Sequence, residues 1–221
     1  MVETSQRSSD GRRWRGVYPG DRKAERRFKL IESGLDLLAA EGPGAVTMRG
    51  VCRRAGLTER YFYESFDNRD KFLVQIFDLV VEDAEATLQE AVASMPPQPP
   101  DAISHIASAF TDFLVEDPRR GEILFVQSVT SELYPRGREL IGRFTAIVGG
   151  LKDAFAAAGG NLSRNDELTA RWDPLALFGG LAFVYQDWLL DPKGVSAEDV
   201  SAYIAYLISI VARVDFPGPA D

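Results

Sequence analysis

Apolar residues return at steps of three and four along most of this chain, and no strand-like alternation competes with that period. Phe28, Ile31, Leu35 and Leu38 draw one stripe on a helix over 22–41, which the run EGPG ends because glycine accepts left-handed dihedrals and proline restricts its predecessor. Met48, Val51, Cys52 and Ala55 form the inward face of a helix about nine residues long, opened by Thr47, whose hydroxyl suits the free amides of a first turn. Gly56 breaks that helix, Leu57 returns to the core, and Thr58 caps a second short helix carrying Glu59 to Ser65. Asp67 or Asn68 then caps a long helix to about Met95, with Phe72, Ile76, Leu79 and Val80 on its stripe and PPQPP closing it. Five more helices are predicted over 101–116, 118–129, 137–158, 168–190 and 197–213. Their stripes include Ile103-Ile106-Phe110-Phe113, Leu140-Phe144-Ile147-Leu151-Phe155 and Val200-Ile204-Leu207-Val211. The predicted fold class is all-α: an N-terminal three-helix bundle joined through a fourth helix to a larger helical domain.

At 221 residues, 45% hydrophobic and 26% charged, the chain has the balance of a soluble globular protein of one large or two small domains. Cys52 is the one cysteine, which excludes an intrachain disulfide or a cysteine-rich zinc site and points to a reducing cytoplasm. No signal-like N-terminus and no apolar run near the ~20 residues of a membrane span is present, so no membrane partner is expected. Charge alters the picture more. The net charge of −8 argues against a polyanionic partner until it is divided: residues 1–75 hold 15 Lys/Arg against 11 Asp/Glu, and residues 76–221 hold 10 against 22. The positive end includes a polar arm over 1–21 with a basic knot at Arg12, Arg13 and Arg15, suited either to solubilising the chain or to following a nucleic-acid groove. Catalysis is not expected. There is no phosphate loop or nucleophile elbow, and the single histidine, His105, falls off the Ile103-Ile106-Phe110 stripe with no histidine or cysteine near it, so neither a metal nor a cofactor is predicted.

Three helices of which the last two are short and joined by a glycine-containing turn are the makings of a helix-turn-helix, in which the second of the pair enters the major groove. Between Phe28 and Leu73 the chain resembles the TetR family of one-component bacterial transcriptional regulators, through Thr47, Met48, Val51, Ala55, Gly56, Leu57, Thr58, Phe62, Tyr63, Phe66 and Asn68-Arg69-Asp70. The resemblance implies a DNA-binding domain over 22–67 and a helical ligand-binding and dimerisation domain over 68–216; beyond the motif it extends only to helix number and order.

The resemblance assigns Thr47 to a phosphate, a role compatible with a plain N-cap, since a helix N-terminus is a ready anion site. It sets Thr58, Glu59, Arg60 and Tyr61 at the start of the recognition helix, where they are the expected base contacts. Arg60 is suited to guanine O6 and N7, and Glu59 either to cytosine N4 or to the helix dipole alone. Tyr63 stands where the family's tyrosine meets a phosphate; Arg69 and Lys71 stand where a basic phosphate contact is common, and Arg49, Arg53 and Arg54 lie either along the backbone or in solvent. Phe62 and Phe66 are expected beneath the helix as core. Glu64 and Ser65 depart from the residues, often basic and aromatic, of relatives, which lowers local positive charge.

One recognition helix samples few bases, so two copies on a palindromic double-stranded operator are expected. The resemblance implies a homodimer through the last two long helices, here with Gly179, Gly180, Trp188, Ile204, Leu207 and Val211. The two glycines would cost ~1 kcal/mol each in an isolated helix and mark either a close crossing or a local kink. It further implies a small-molecule effector among the middle helices. Phe110, Phe113, Phe125, Phe144, Phe155, Phe178 and Tyr185 supply surface that either lines a cavity or fills it, with Asp112, Glu116, Gln127 and Arg143 as candidate polar anchors. The reading is a repressor released by a hydrophobic or amphipathic effector; the alternative is a helical scaffold that binds no specific DNA.

Overall fold

The computed structural model describes residues 22–157 and 167–212, all helices and their connections. The arm with Arg12, Arg13 and Arg15 lies outside them, as do the side chains of Leu151 and Phe155. In chain order the elements are α1 (Arg22–Glu41), a 3-10 turn (Pro43–Ala45), α2 (Met48–Ala55), α3 (Glu59–Tyr63) and α4 (Arg69–Ala93), then α5 (Pro99–Glu116) and α6 (Arg119–Gly121). A π-helical turn (Glu122–Val126) and a 3-10 turn (Gln127–Val129) follow, and then α7 (Tyr134–Ala157), α8 (Glu167–Leu190) and α9 (Ala197–Ala212).

Local chemistry sets the boundaries. Thr47 Oγ1 accepts the Gly50 amide at 3.0 Å and opens α2, while Gly56 at φ +65° closes it, with Leu57 N–H donating to the Cys52 carbonyl at 3.0 Å. Asn68 Oδ1 accepts the Lys71 amide at 2.8 Å and opens α4. Ser196 and Asp199 exchange side-chain-to-amide hydrogen bonds at 3.1 Å each before α9, a reciprocal cap. Thr58, by contrast, holds the N-cap position of α3 without any side-chain capping bond.

Two predicted boundaries are corrected. The helix over 118–129 is instead one turn of α6, a π turn and a 3-10 turn. Ile123 and Leu124 are buried and Phe125 half-buried at consecutive positions, which one face of an α-helix cannot hold at 100° per residue; the wider i→i+5 turn brings them to one side. The helix predicted from 137 begins at Tyr134, because Pro135 sits in the first turn, where its missing N–H has no partner to lose.

α4 is the shared strut. Its Phe72 packs with Phe62 and Phe66 at ring centroid distances of 5.2 and 4.6 Å, and its Ile76, Val80 and Val81 continue into the core of the larger bundle. Gly34 of α1 faces this cluster, and a Cβ there would lie 2.5 Å from the Phe72 ring. Because Phe72 is fully buried and cannot move aside, Gly34→Ala should destabilise the fold by about 1–3 kcal/mol even against its helix-propensity gain. Thermal denaturation checks this: the midpoint should fall, and Phe72→Leu in the same chain should recover much of the loss.

Candidate functional site

The exposed face of α3 rests on an aromatic underside. Phe62 is fully buried against Phe66 at 5.4 Å and Phe72, and its burial turns the other residues of a five-residue helix outward. Thr58, Glu59 and Arg60 are exposed, Tyr63 is 60% exposed, and Tyr61 is half-buried with the Arg26 guanidinium 4.4 Å from its ring centroid. Arg27 similarly lies 4.8 Å from the Phe66 ring, so α1 braces α3 and the turn after it through two cation–π contacts. Arg26 was not among the residues singled out by sequence. Its neighbour across the bundle is legible only once α1 and α3 are docked.

Charges on this surface are paired weakly. Arg60 Nε meets Glu64 Oε1 at 2.9 Å and Arg49 Nε meets Glu59 Oε1 at 3.2 Å, with both arginines more than four-fifths exposed. Arg54 reaches Asp36 at 3.0 Å, and Lys71 Nζ meets Asp67 at 2.6 Å, a hydrogen bond and charge that hold the Asp67 carboxyl below its ordinary range. Exposed pairs of this kind contribute ~0.2–1 kcal/mol each, so a phosphate or base can displace them cheaply. Thr47 is exposed while its Oγ1 accepts the Gly50 amide.

Arg69 is corrected. Its Nε and Nη2 donate to the carbonyls of Val46 and Pro43, and Nη1 meets Glu132 Oε2 at 2.7 Å and Asp70 at 3.1 Å. With all three nitrogens engaged and the side chain 29% exposed, it is a clamp between the turn before α2 and the segment before α7 instead of a phosphate contact. Cys52 is buried. Burial first, and the charge of Glu59 second, push its thiol up and away from a reactive thiolate.

Residues 117–133 join this end to the larger bundle. Arg119 meets Asp36 at 2.6 Å, Glu32 at 3.1 Å and Asp117 at 2.7 Å. Arg120 donates to the Phe113 carbonyl at 2.6 Å, lies 4.1 Å from the Phe113 ring centroid and approaches Asp83 of α4 at 3.1 Å. A few residues later, Leu124 and Phe125 reach the wall of an internal cavity of about 110 Å³.

That cavity lies among α4, α5, α7, α8 and α9. Phe110, Phe125, Phe144, Phe178 and Tyr185 line it. Phe113, Asp112 and Gln127 do not, which corrects the sequence expectation for all three. Phe113 is buried under Arg120, and Asp112 is exposed on the outer side of α5. Gln127 is buried, donates to Glu122 at 2.9 Å and packs its Oε1 toward Gly42. The Tyr185 hydroxyl meets Thr111 Oγ1 at 2.8 Å, and Thr111 donates to the Ala107 carbonyl at 2.9 Å. Burial pushes the Tyr185 phenol well above its ordinary range, so it stays neutral. His105 lies 3.1 Å from Ser94 Oγ, and among the described residues no cluster suited to a metal exists.

α8 is apolar on both sides. Leu177, Leu181 and Tyr185 are buried, while Phe183 at 74%, Leu190 at 71% and Trp172 at 54% are exposed beside Gly180. Among the described residues, nothing beyond the helix's own backbone comes within 4 Å of a Cβ built at Gly179 or Gly180. Trp188 is half-buried and donates from Nε1 to the Val195 carbonyl at 3.0 Å. On α9, Ile204 is 2% exposed and lines the cavity, as does Val211, and Leu207 is half-buried; Tyr203 and Ile210 are the exposed apolar residues instead. The Val200-Ile204-Val211 stripe is thus the inward face, which corrects Ile204 and Val211 as candidates for an outer contact. No described helix is long and apolar enough to cross a membrane.

Among curated proteins, none matches the sequence. Residues 30–76 match the family model described as bacterial regulatory proteins, tetR family. Among solved structures, the chain is similar to the fatty acid degradation regulator FadR from Bacillus halodurans, with 14% identity over 85% of this chain and 94% of that one and a TM-score of 0.70. It is also similar to FadR from Bacillus subtilis in complex with stearoyl-CoA, with 16% identity, coverage of 82% and 96%, and a TM-score of 0.67. A third is NalD from Pseudomonas aeruginosa, the secondary repressor of the MexAB-OprM multidrug efflux pump, with 17% identity, coverage of 86% and 94%, and a TM-score of 0.61. Residues 30–76 are thus similar to the N-terminal segment of bacterial regulatory proteins of the tetR family, and the chain shares the overall fold of these solved regulators.

Proposed function

We propose that this regulator is a sequence-specific repressor that binds a palindromic operator as a homodimer and leaves it when a small hydrophobic or amphipathic effector enters the cavity. The observation that carries the reading is a solvent-facing α3, seated on its aromatic underside, that presents Thr58, Glu59, Arg60 and Tyr63 together. Residues 22–67 are read as the DNA-binding domain and residues 68–216 as the effector and dimerisation domain. Arg60 with Glu59 and Tyr61 would read base edges, while Thr47, Arg49, Tyr63 and Lys71 would hold phosphates.

The apolar outer side of α8, with Gly179 and Gly180 on it, supports a second copy as its cover, since two mid-helix glycines cost ~1 kcal/mol each and no described residue packs against them closely enough to require them. The complex of B. subtilis FadR with stearoyl-CoA supports an amphipathic effector here, and the nearly all-apolar cavity wall agrees with it. The coupling path would run from Leu124 and Phe125 in the wall, back along the π turn to Arg119 of α6, and from there to Glu32 and Asp36 of α1. An effector that prefers the released state ~100-fold supplies ~2.7 kcal/mol of coupling.

Selection of bound genomic DNA fragments, with and without added effector candidates, tests the reading. A short two-fold symmetric sequence should be enriched, and binding should weaken steeply as salt rises. A folded dimer that enriches no sequence at moderate salt would favour a helical scaffold instead. Within the selected sites, Arg60→Ala should lose about 1–3 kcal/mol at one base position and relax the preference there. Tyr63→Phe should weaken all sites alike. Equal losses on every sequence from both variants would remove Arg60 from base reading.

A further inference from the structure

We infer that Arg143 is the docking point for a carboxylate on the effector, and that Glu85 holds that place until the effector arrives; this rests on the cavity being the effector site. Among the described residues of the wall, Glu85 and Arg143 are the two that carry charge, one on α4 and one on α7, and their side chains meet at 3.1 Å. They are 24% and 45% exposed, so the pair stands where the cavity opens to solvent. The rest of the wall is apolar apart from Tyr185, and that hydroxyl is already spent. Thr111 donates to Ala107, so the hydrogen bond between Thr111 and Tyr185 takes the proton of the phenol. Arg143 is therefore the cavity's donor for an incoming head group, and its planar fork matches a carboxylate in two places.

Surrounding charge selects the type of anion. Further along the same seam between α4 and α7, in a separate cleft, Asp78 pairs with Arg136 at 3.4 Å beside Glu82, and Arg136 also holds Glu139, so carboxylates neighbour the Glu85–Arg143 pair just beyond the cavity wall. A ligand with one negative charge replaces Glu85 at no net change, and Glu85 swings to water. A dianionic phosphate would add charge to an acidic rim. The free space, about 110 Å³, is smaller than the ~150 Å³ that takes up benzene, which sets a tail of a few carbons for the protein as it stands.

Calorimetric titration of the full chain with butanoate and with butan-1-ol, equal in length and differing in the head, tests this. Butanoate should bind at least about tenfold more tightly than the alcohol. Arg143→Gln should bring the ratio near one, and Glu85→Gln should raise it above that of the unaltered protein. Similar affinities for both probes, or a ratio unmoved by Arg143→Gln, would overturn the role of Arg143 and leave the cavity as an effector site. Failure of both probes to bind would overturn the cavity reading, and the Arg143 inference with it.

Discussion

Phe183→Asp combined with Leu190→Asp is expected to turn a dimer into a monomer and to lower operator affinity by about a thousandfold or more. Both side chains are more than 70% exposed on the same side of α8. In a two-fold interface each substitution acts twice, so four apolar side chains lose their burial, roughly 6–12 kcal/mol at 1.5–3 kcal/mol each. A nanomolar dimer has about 12 kcal/mol in all, and the four new carboxylates would face one another across the axis. Sedimentation equilibrium should report half the mass, circular dichroism an unchanged helix content, and cavity binding should persist because Leu177, Leu181 and Tyr185 lie on the opposite side of the helix. A double variant that remains dimeric would show that the chain pairs elsewhere. A true monomer with undiminished operator affinity would instead remove the two-site reading of the operator.

The order of helices was legible because each element carries a local mark: a cap at Thr47 or Asn68, a breaker at Gly56, a proline run before α5. The underside of α3 was legible too, since Phe62 and Phe66 stand one turn apart. What was not legible depends on partners far along the chain. Arg69 has the position of a surface cation, and only the fold brings Glu132 to it. Asp112 and Phe113 are neighbours in sequence, yet 100° of helix separates an exposed carboxylate from a buried ring. α9 shows a single clear stripe, and a stripe does not say whether it meets the chain's own core or a partner. The core took Ile204, so the face left outside is the weaker one with Tyr203 and Ile210. The π turn escaped for a related reason: periodicity assumes one pitch throughout, and residues 122–126 change pitch to bury consecutive side chains.

That altered pitch matters for how a signal would travel. A regular helix from 118 to 129 would point successive side chains around its axis. The observed segment instead sends Arg119 to α1, Arg120 to α4 and α5, and Leu124 and Phe125 to the cavity within two turns of backbone. A wall displaced by an effector would therefore act on the same short segment that holds α1, and α1 braces α3 through Arg26 and the turn after it through Arg27. Coupling of this kind needs an element that both ends can bias, and residues 117–133 touch both ends.

Arg119→Ala is expected to keep both binding activities and lose the connection between them. The substitution leaves Glu32, Asp36 and Asp117 near one another without the cation they share, although Asp36 retains Arg54 at 3.0 Å. Stability should fall by about 1–3 kcal/mol, since the site is largely shielded and the carboxylates lose charge-assisted bonds. The loss should depend on pH in a defined direction. Burial pushes the Asp117 carboxyl up, but hydrogen bonds and charge from Arg119 outweigh it and hold the folded value below the ordinary one. A carboxyl depressed in the folded state stabilises fully above its unfolded pKa of about 3.9, and that contribution fades as acid titrates the folded group. Denaturation curves of the variant and the unaltered protein should accordingly differ most near neutrality and converge as pH drops below about 4. The functional effect should be larger. With a released-state preference of ~100-fold in the unaltered protein, the variant should hold operator DNA with effector present to within a few-fold of its affinity without it. Release of DNA at full strength by the variant, measured well below its melting temperature, would show that the signal reaches α3 along α4 alone and that the Arg119 cluster serves stability.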